Sequence, residues 1–223
     1  MSRTYKTVFF DVGNTLLFPN RERILAPLAE CGIVPTAEQL AALERRTKNE
    51  FDRLLETTGH ADHSFWWMFY THLLEELGIA NDGLRDAMVE ATRLSANWDR
   101  IRPGTCDKLR QIGKQYRIGV ISNSDGKVSE SLRVCGIADC FLGIVDSGNV
   151  GYEKPHPAIF EVALRELKTR AEESLYVGDV YSVDYLGATR AGMEAMLFDV
   201  AGAYRDRGLP RVESLDELQQ WLG

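Results

Sequence analysis

Five short apolar runs recur along the chain, and each ends where a polar residue or a glycine begins a loop. They cover residues 8–10, 118–121, 143–145, 175–177 and 195–198. None alternates cleanly between apolar and polar positions, which is typical of strands that are covered on both faces of a sheet. The pattern therefore predicts five buried strands.

Segments between these runs repeat their apolar residues at the spacing of a helix. Candidate helices span residues 106–115, 127–134 and 158–167, and each has one apolar face. Strands that alternate with helices indicate a parallel sheet with right-handed crossovers. The predicted fold class is therefore α/β, with a doubly wound parallel sheet.

One long stretch breaks the alternation. Between about residues 22 and 97 only helical patterns appear, and Thr36 and Asn81 mark two of the starts. No strand-like run interrupts them, so we predict a lobe of about four helices inserted after the first strand. The expected division is a core of residues 1–18 and 99–223 and a helical cap domain of residues 19–98.

Several polar residues stand where a ligand site is expected. Ligands bind at the carboxyl ends of the strands in an open α/β sheet. Asp11, Ser122 and Asp179 each follow a predicted strand closely, and Lys154 lies in a loop that can reach the same edge. The helical lobe leaves the core just after Asp11, so we expect it to overhang the site as a lid.

These residue types together suit phosphate chemistry. Asp11 and Asp179 can share Mg²⁺, which prefers oxygen ligands and retains several waters. Such a cation offsets the charge of a phosphate, so that a carboxylate can attack phosphorus and form an acyl phosphate that water hydrolyses. Ser122 can donate a hydrogen bond to a phosphate oxygen, and Lys154 can offset negative charge.

Four segments resemble, in order and context, the motifs of the haloacid dehalogenase-like hydrolase superfamily. They are residues 8–15 (VFFDVGNT), 119–123 (GVISN), 153–160 (EKPHPAIF) and 177–184 (VGDVYSVD). The helical insertion stands where this superfamily carries its type 1 cap, so the resemblance covers the whole chain and implies a Rossmann-like core. Two shorter strings are similar to the subgroup of haloacid dehalogenase-like hydrolase domain-containing protein 3, namely residues 64–68 (SFWWM) and 179–188 (DVYSVDYLGA).

The resemblance implies a role for each residue that would meet the phosphoryl group. Asp11 matches the nucleophile, which becomes transiently phosphorylated. Ser122, the backbone N–H of Asn123 and the side chain of Lys154 match the groups that bind phosphate. The implied activity is hydrolysis of a phosphoric monoester or an acyl phosphate of a small metabolite.

The same resemblance implies a Mg²⁺ cofactor. Its ligands would be Asp11, the carbonyl of Gly13 and Asp179. Asp184 has three open interpretations, as a direct ligand, as a partner of a ligand, or as the N-cap of the following helix.

Gly13 departs from the superfamily pattern. Phosphatases of the superfamily carry an Asp two residues after the nucleophile, which protonates the leaving group and later activates water. Gly13 cannot transfer a proton, and general acid–base help is typically worth ~10²–10⁴-fold. We therefore expect alkyl phosphates to be poor substrates, unless the leaving group is good, another residue supplies the proton, or the reaction needs no acid.

This departure leaves three alternative functions open. A catalytically weak relative would bind a phosphorylated ligand or a partner protein. A dehalogenase needs no such acid, but it also lacks the metal carboxylates that Asp179 and Asp184 supply here. A phosphonatase has a small residue at this position and forms a Schiff base on a cap lysine. Lys48 is the only lysine between residues 19 and 98, and we expect it on an exposed helix face.

The bulk composition excludes several classes of protein. The chain has 223 residues, of which 44% are hydrophobic and 26% charged, and its formal net charge is −7. A negative chain is poorly suited to nucleic acid, and no basic run suits an anionic membrane surface. Without a signal-peptide or membrane-spanning pattern, we expect a cytoplasmic monomer or homodimer whose partner is a small phosphorylated substrate.

Other polar and aromatic residues have plainer interpretations. The four cysteines include no Cys-x-x-Cys pair and are expected to be free thiols. Thr15 is expected to fix its loop by a local hydrogen bond, and His156 to be structural. His60 and His63 are expected to be solvated. About half of the aromatic cluster at residues 65–70 should be lid core, and the rest can line a pocket for an apolar substrate.

Overall fold

The computed structural model describes residues 5–59 and 64–223, which form eight strands in two sheets. The strands are β1 (Thr7–Phe10), β2 (Leu17–Phe18), β3 (Arg100–Ile101), β4 (Arg117–Ser122), β5 (Ile144–Asp146), β6 (Ser174–Gly178), β7 (Glu194–Phe198) and β8 (Arg211–Val212). Six of them form one sheet in the order β5-β4-β1-β6-β7-β8, and every neighbouring pair in it is parallel. The predicted α/β fold is confirmed.

The five predicted strands all occur, with ends within one residue of those expected. β1 lies inside the sheet, and its four residues are buried. Val8 and Phe10 belong to one hydrophobic cluster and Phe9 to another, because successive side chains of a strand point to opposite faces. Both faces are apolar, which explains why the sequence of β1 is a continuous hydrophobic run.

Three strands were missed by the sequence pattern. β2 pairs antiparallel with β3, with Leu17 opposite Ile101, and β8 extends the large sheet beside β7. Each is two residues long, so none can show a periodicity of its own. β2 and β3 flank the inserted helices and close the base of the insertion.

Eleven α-helices accompany the strands in the described residues. They are α1 (Arg21–Ile24), α2 (Ala26–Glu30), α3 (Ala37–Thr58), α4 (Phe65–Glu76), α5 (Asp82–Arg93), α6 (Thr105–Ile112), α7 (Val128–Val134), α8 (Ser147–Val150), α9 (Pro157–Glu166), α10 (Leu186–Arg190) and α11 (Leu215–Leu222). Thr36 begins α3 as expected: its hydroxyl accepts from the N–H of Gln39, whose side chain accepts in return from the N–H of Thr36. This reciprocal capping satisfies two backbone donors.

Helices α1–α5 lie between β2 and β3 and pack around a hydrophobic cluster of their own. Leu28, Leu43, Leu73 and Met88 are among its buried members, and it is separate from the clusters on the two faces of the sheet. This separation supports the proposed division into a core and a helical cap of residues 19–98. No helix in the described part of the chain is long and apolar enough to cross a membrane.

Candidate active site

Three aspartates meet at the carboxyl ends of neighbouring strands. Asp11 follows β1, Asp179 follows β6, and Asp184 lies in a single π-helical turn, Tyr181–Tyr185. Each offers a carboxylate oxygen, and these oxygens lie within 4.8 Å of one another. All three residues are at most 6% exposed. Carboxylates placed this close in a buried site need positive charge beside them.

Lys154 supplies one such charge. Its Nζ lies 2.5 Å from Oδ1 of Asp11 and 2.8 Å from Oδ1 of Asp184, and it donates to the hydroxyl of Tyr176 at 2.8 Å. The ammonium thus uses its three donors on three buried partners. The side chain of Asn123 donates to the carbonyl of Lys154 at 2.9 Å and accepts from its N–H at 2.7 Å, which orients the loop that carries the lysine.

Tyr176 is a site residue that the sequence analysis missed, because a tyrosine inside a buried strand is usually core. Its hydroxyl lies 3.0 Å from Oδ1 of Asp184 and 3.2 Å from the carbonyl of Ile121. The other oxygen of Asp184 accepts from the N–H of Val180 at 2.9 Å. Asp184 therefore anchors the loop after β6 besides belonging to the acidic cluster. It does not act as the N-cap of the following helix, because no side chain caps α10.

Burial dominates the electrostatics of the acidic cluster. It raises the pKa of Asp11 from 3.8 to about 6, although Lys154 opposes this. It raises the pKa of Asp179 to about 7 against the attraction of Lys48. Burial disfavours the charge of Lys154, but Asp11 and Asp184 outweigh it and raise its pKa above the usual value. The site thus favours added positive charge, and its carboxylate oxygens suit a hard divalent cation.

Two hydroxyl residues belong to segments next to the nucleophile position, Ser122 on the neighbouring strand and Thr15 in the loop after β1. Ser122 ends β4, which pairs with β1, and it is buried. Thr15 donates to Oδ2 of Asp11 at 3.3 Å, which is the local hydrogen bond that we expected. Since Lys154 holds Oδ1, both oxygens of Asp11 are oriented. The catalytic and metal-binding roles of these residues stay predictions.

The position of Lys48 differs from the one expected from the sequence. It is not on an exposed face, since its side chain is 1% exposed and its Nζ lies 2.8 Å from Oδ2 of Asp179 and 2.9 Å from Oε1 of Glu44. Burial opposes its charge, but these carboxylates hold the pKa of Lys48 well above 10.5. Glu44, Lys48 and Asp52 form a polar stripe on α3 that faces the core, whereas such a stripe usually faces water.

The same face of α3 binds two more parts of the core. Asp52 is fully buried and accepts from the N–H of Ser182 and the hydroxyl of Tyr204, both at 2.9 Å. Glu56 pairs with Arg207 at 3.0 Å. These contacts fasten α3 to the loop after β6 and to the segment after β7. The insertion therefore lies against the acidic cluster, as expected for a lid.

Trp98 covers Gly13. A Cβ atom on Gly13 would lie 3.3 Å from Cζ3 of this indole ring, slightly closer than ordinary van der Waals contact, and 3.4 Å from its Cη2. The indole N–H donates to the carbonyl of Thr92 at 2.8 Å, so it is already used within the protein. The position two residues after Asp11 therefore faces an aromatic ring rather than a proton donor.

The histidines and cysteines with predicted roles lie outside the acidic cluster or outside the described residues. His156 accepts from the N–H of Ala158 at the start of α9, so its structural role is confirmed. His60 and His63 lie outside the described residues. All four cysteines are free thiols, as predicted.

Comparison with known proteins adds independent information. The family model for haloacid dehalogenase-like hydrolases matches residues 5–192. The chain is 33% identical over 200 residues to a glyceraldehyde 3-phosphate phosphatase of Methanothermobacter thermautotrophicus, spanning 86% of this chain and 84% of that protein. It is 26% identical to haloacid dehalogenase-like hydrolase domain-containing protein 3 of Danio rerio, spanning 95% and 93% of the two chains.

Solved structures agree on the fold. The putative HAD-hydrolase YfnB from Bacillus subtilis, bound to magnesium, matches with a TM-score of 0.71 at 21% identity over 99% of both chains. The 2-haloacid dehalogenase from Pseudomonas syringae pv. Tomato matches with a TM-score of 0.59 at 27% identity over 98% of both chains. The likeness therefore extends over the sheet and the inserted helices together.

Proposed function

This chain belongs to the haloacid dehalogenase-like hydrolase family, and from that premise we propose that it is a magnesium-dependent phosphatase with Asp11 as its nucleophile. One observation carries the proposal: Lys154 holds Asp11 at 2.5 Å inside a cluster that Asp179 and Asp184 complete. A buried carboxylate that an ammonium orients is suited to attack phosphorus. The relatives named glyceraldehyde 3-phosphate phosphatase support a small phosphorylated substrate.

The chain's own residues account for two steps of the proposed reaction. An oxygen of Asp11 attacks phosphorus, and the bond from phosphorus to the leaving group breaks. Ser122 and the backbone N–H of Asn123 donate to the phosphoryl oxygens, while Lys154 offsets their negative charge. Water then attacks the acyl phosphate at phosphorus, which releases phosphate and restores Asp11.

The proposed Mg²⁺ ligands are Asp11, the carbonyl of Gly13 and Asp179, with Asp184 as a further member of the cluster. When bound, the cation neutralises charge on the phosphoryl oxygens. The donor set fits this role because all of its atoms are oxygens. Burial also disfavours the negative charge of these carboxylates and so raises the pKa of Asp11 and Asp179, and a divalent cation beside them would offset that cost. We further propose that the protein is cytoplasmic and works as a monomer or homodimer.

Phosphate release with and without Mg²⁺ tests this function. The substrates are p-nitrophenyl phosphate, acetyl phosphate and glyceraldehyde 3-phosphate, and halide release from a 2-haloacid is measured in parallel. We expect Mg²⁺-dependent phosphate release that Asp11→Asn abolishes. Asp216→Asn is the control and should leave the rate unchanged, because Asp216 is an exposed carboxylate of α11.

Two other outcomes would contradict this function and support a different one. Halide release that does not need Mg²⁺ would identify a dehalogenase. If the folded protein released neither phosphate nor halide from any of these substrates, it would be a weak relative that binds a phosphorylated ligand or a partner.

The position of Lys48 raises a second candidate function. Its buried ammonium lies beside Asp179, where a cap lysine could form an imine with an aldehyde-bearing phosphonate. An imine requires a neutral amine, whereas Asp179 and Glu44 hold the pKa of Lys48 well above 10.5. Borohydride added during incubation with such a phosphonate would label Lys48 if this chemistry occurred, and we expect no label.

A further inference from the structure

We infer that Asp52 of the helical insertion positions the acidic cluster by holding the start of the turn that follows Asp179. Asp52 is not one of the three aspartates whose oxygens lie together, so it acts as a positioning residue and not as a ligand. The inference rests on the proposed function, in which Asp179 is a Mg²⁺ ligand and Asp184 belongs to the same cluster. It adds that the insertion helps to complete this site.

The turn in question links two members of the acidic cluster. It is the single π-helical turn Tyr181–Tyr185, which begins two residues after Asp179 and contains Asp184. Isolated turns of this kind are rare and are frequent at functional sites. The first N–H groups of a helical turn have no partner within it, so groups from elsewhere must accept from them. The separation of the two carboxylates therefore depends on these outside acceptors.

Two side chains accept from successive N–H groups at the start of the turn. The hydroxyl of Tyr204 accepts from Tyr181 at 3.1 Å, and Oδ1 of Asp52 accepts from Ser182 at 2.9 Å. The same hydroxyl donates to Oδ2 of Asp52 at 2.9 Å. One carboxylate thus holds two successive residues of the turn, one of them directly and the other through Tyr204.

Burial makes these hydrogen bonds hard to replace. Asp52 and Tyr204 are fully buried, and Ser182 is 3% exposed, so water has little access to the N–H groups of the turn. A buried donor that loses its acceptor is costly. When the acceptor is removed, we therefore expect the turn to shift until its N–H groups find new partners, and Asp184 to shift with it.

Helix α3 contacts the loop after β6 at two points. Lys48 precedes Asp52 by one helical turn and so lies on the same face of α3. Its Nζ lies 2.8 Å from Oδ2 of Asp179, while Asp52 holds Ser182. Because both contacts come from one helix, the distance between Asp179 and the turn depends on the position of α3. The geometry of the acidic cluster is thus linked to the docking of the insertion.

The charge of Asp52 must be separated from its positioning effect. A negative charge near a cation site attracts Mg²⁺ whatever hydrogen bonds it makes. Tyr204→Phe separates the two effects, because it removes the hydroxyl that binds Tyr181 and Asp52 but changes no charge. Lys48 is not a suitable probe, since its own positive charge acts on the cation directly.

Binding of Mg²⁺ alone, measured by titration calorimetry without substrate, tests the inference in the wild type, Asp52→Asn and Tyr204→Phe. Asparagine keeps the shape of Asp52 but replaces an accepting oxygen with a group that only donates, so one of the two donors loses its acceptor. Changing a residue that orients a ligand typically costs roughly 10–100-fold in metal affinity. We expect the Kd for Mg²⁺ to rise about tenfold in both variants.

Glu56→Gln is the matched control on the same helix. Glu56 lies one helical turn beyond Asp52 and pairs with Arg207 at 3.0 Å, so its loss removes a negative charge and weakens the same interface. It accepts from no N–H of the turn in the contacts of the described residues, and we expect its Kd for Mg²⁺ to equal that of the wild type.

Hydrogen exchange of the metal-free proteins gives a readout that does not depend on Mg²⁺. The N–H of Tyr181 should exchange several-fold faster in Tyr204→Phe than in the wild type or Glu56→Gln, because it has lost its acceptor. Melting temperatures show which variants are folded.

Three outcomes would overturn this inference and leave the proposed function standing. The first is an unchanged Kd for Mg²⁺ in both folded variants with only a lower melting temperature, which would mean that Asp52 merely fastens the insertion. The second is weaker binding in Asp52→Asn but not in Tyr204→Phe, which charge alone would explain. The third is an equal loss in Glu56→Gln. A wild type that binds no Mg²⁺ would overturn the proposed function together with the inference.

Discussion

Introducing the missing acid is the sharpest perturbation of this site, and we expect Gly13→Asp alone to fail. Gly13 does not adopt the left-handed conformation, so its backbone accepts a side chain. The new Cβ, however, would lie 3.3 Å from Cζ3 and 3.4 Å from Cη2 of Trp98. The ring must then shift by a few tenths of an ångström to admit the side chain, and we expect the carboxyl to turn away from the leaving group instead, so the single variant should gain little turnover of benzyl phosphate.

Removing the ring as well gives the carboxyl room. Trp98→Ala loses the hydrogen bond to Thr92 and the contact with Trp66. Truncating a fully buried tryptophan costs about 3–5 kcal/mol, and the partly exposed Trp98 should cost less. Since general acid–base catalysis is worth ~10²–10⁴-fold, we expect the double variant to hydrolyse benzyl phosphate ~10²-fold faster than Trp98→Ala. Phenyl phosphate should gain much less, because phenolate needs no proton.

The assay compares the wild type, both single variants and the double variant on benzyl and phenyl phosphate. Melting temperatures show whether each variant is folded, and the four rates form a cycle that isolates the coupling between positions 13 and 98. A gain in Gly13→Asp as large as in the double variant would show that Trp98 is no obstacle. No gain in a folded double variant would refute the inference that an acid at position 13 reaches the leaving group.

Three further perturbations test the surroundings of the nucleophile. Tyr176→Phe removes the uncharged partner of Lys154, so kcat should fall about tenfold with little change in KM; a lower melting temperature with an unchanged kcat would mean a purely structural role. Lys48→Met leaves Asp179 without its ion pair, which should lower the melting temperature without metal and enlarge the rise that Mg²⁺ produces; an equal rise in both proteins would contradict this account. Burial raises the pKa of Asp179 from 3.8 to about 7, so the folded metal-free protein binds a proton that the unfolded chain has already released. Its free energy of unfolding should therefore fall by about 1 kcal/mol from pH 6 to pH 8, and Asp179→Asn should flatten that slope if the assignment is right.

The strand-end positions explain why much of the site could be predicted from the sequence. Asp11, Ser122 and Asp179 each follow a buried apolar run, and parallel strands place all their carboxyl ends at one edge. The run itself shows where the strand ends, and the alternation of strands with helices indicates that the sheet is parallel. These local signals were sufficient for five of the six strands of the large sheet.

Other features depend on contacts between distant segments and had no local signal. Lys48 is in a polar stripe of α3 that resembles a solvated face, but the stripe pairs with Asp179 and Ser182 across the interface with the core. Tyr176 has the sequence context of a core residue, although its hydroxyl binds Lys154. The ring of Trp98 lies over Gly13, 85 residues earlier in the chain. Such pairings follow from tertiary packing, which hydropathy along one segment does not encode.

Chemical identification of the phosphorylated side chain tests the central claim most directly. The protein is mixed with p-nitrophenyl phosphate and Mg²⁺, quenched, and treated with borohydride, which reduces an aspartyl phosphate to homoserine. We predict that peptide mass spectrometry finds homoserine in place of Asp11, and finds none in Asp11→Asn. Reduction at Asp179 or Asp184 instead, or release of p-nitrophenol with no reduced carboxylate at all, would contradict the assignment of Asp11 as nucleophile.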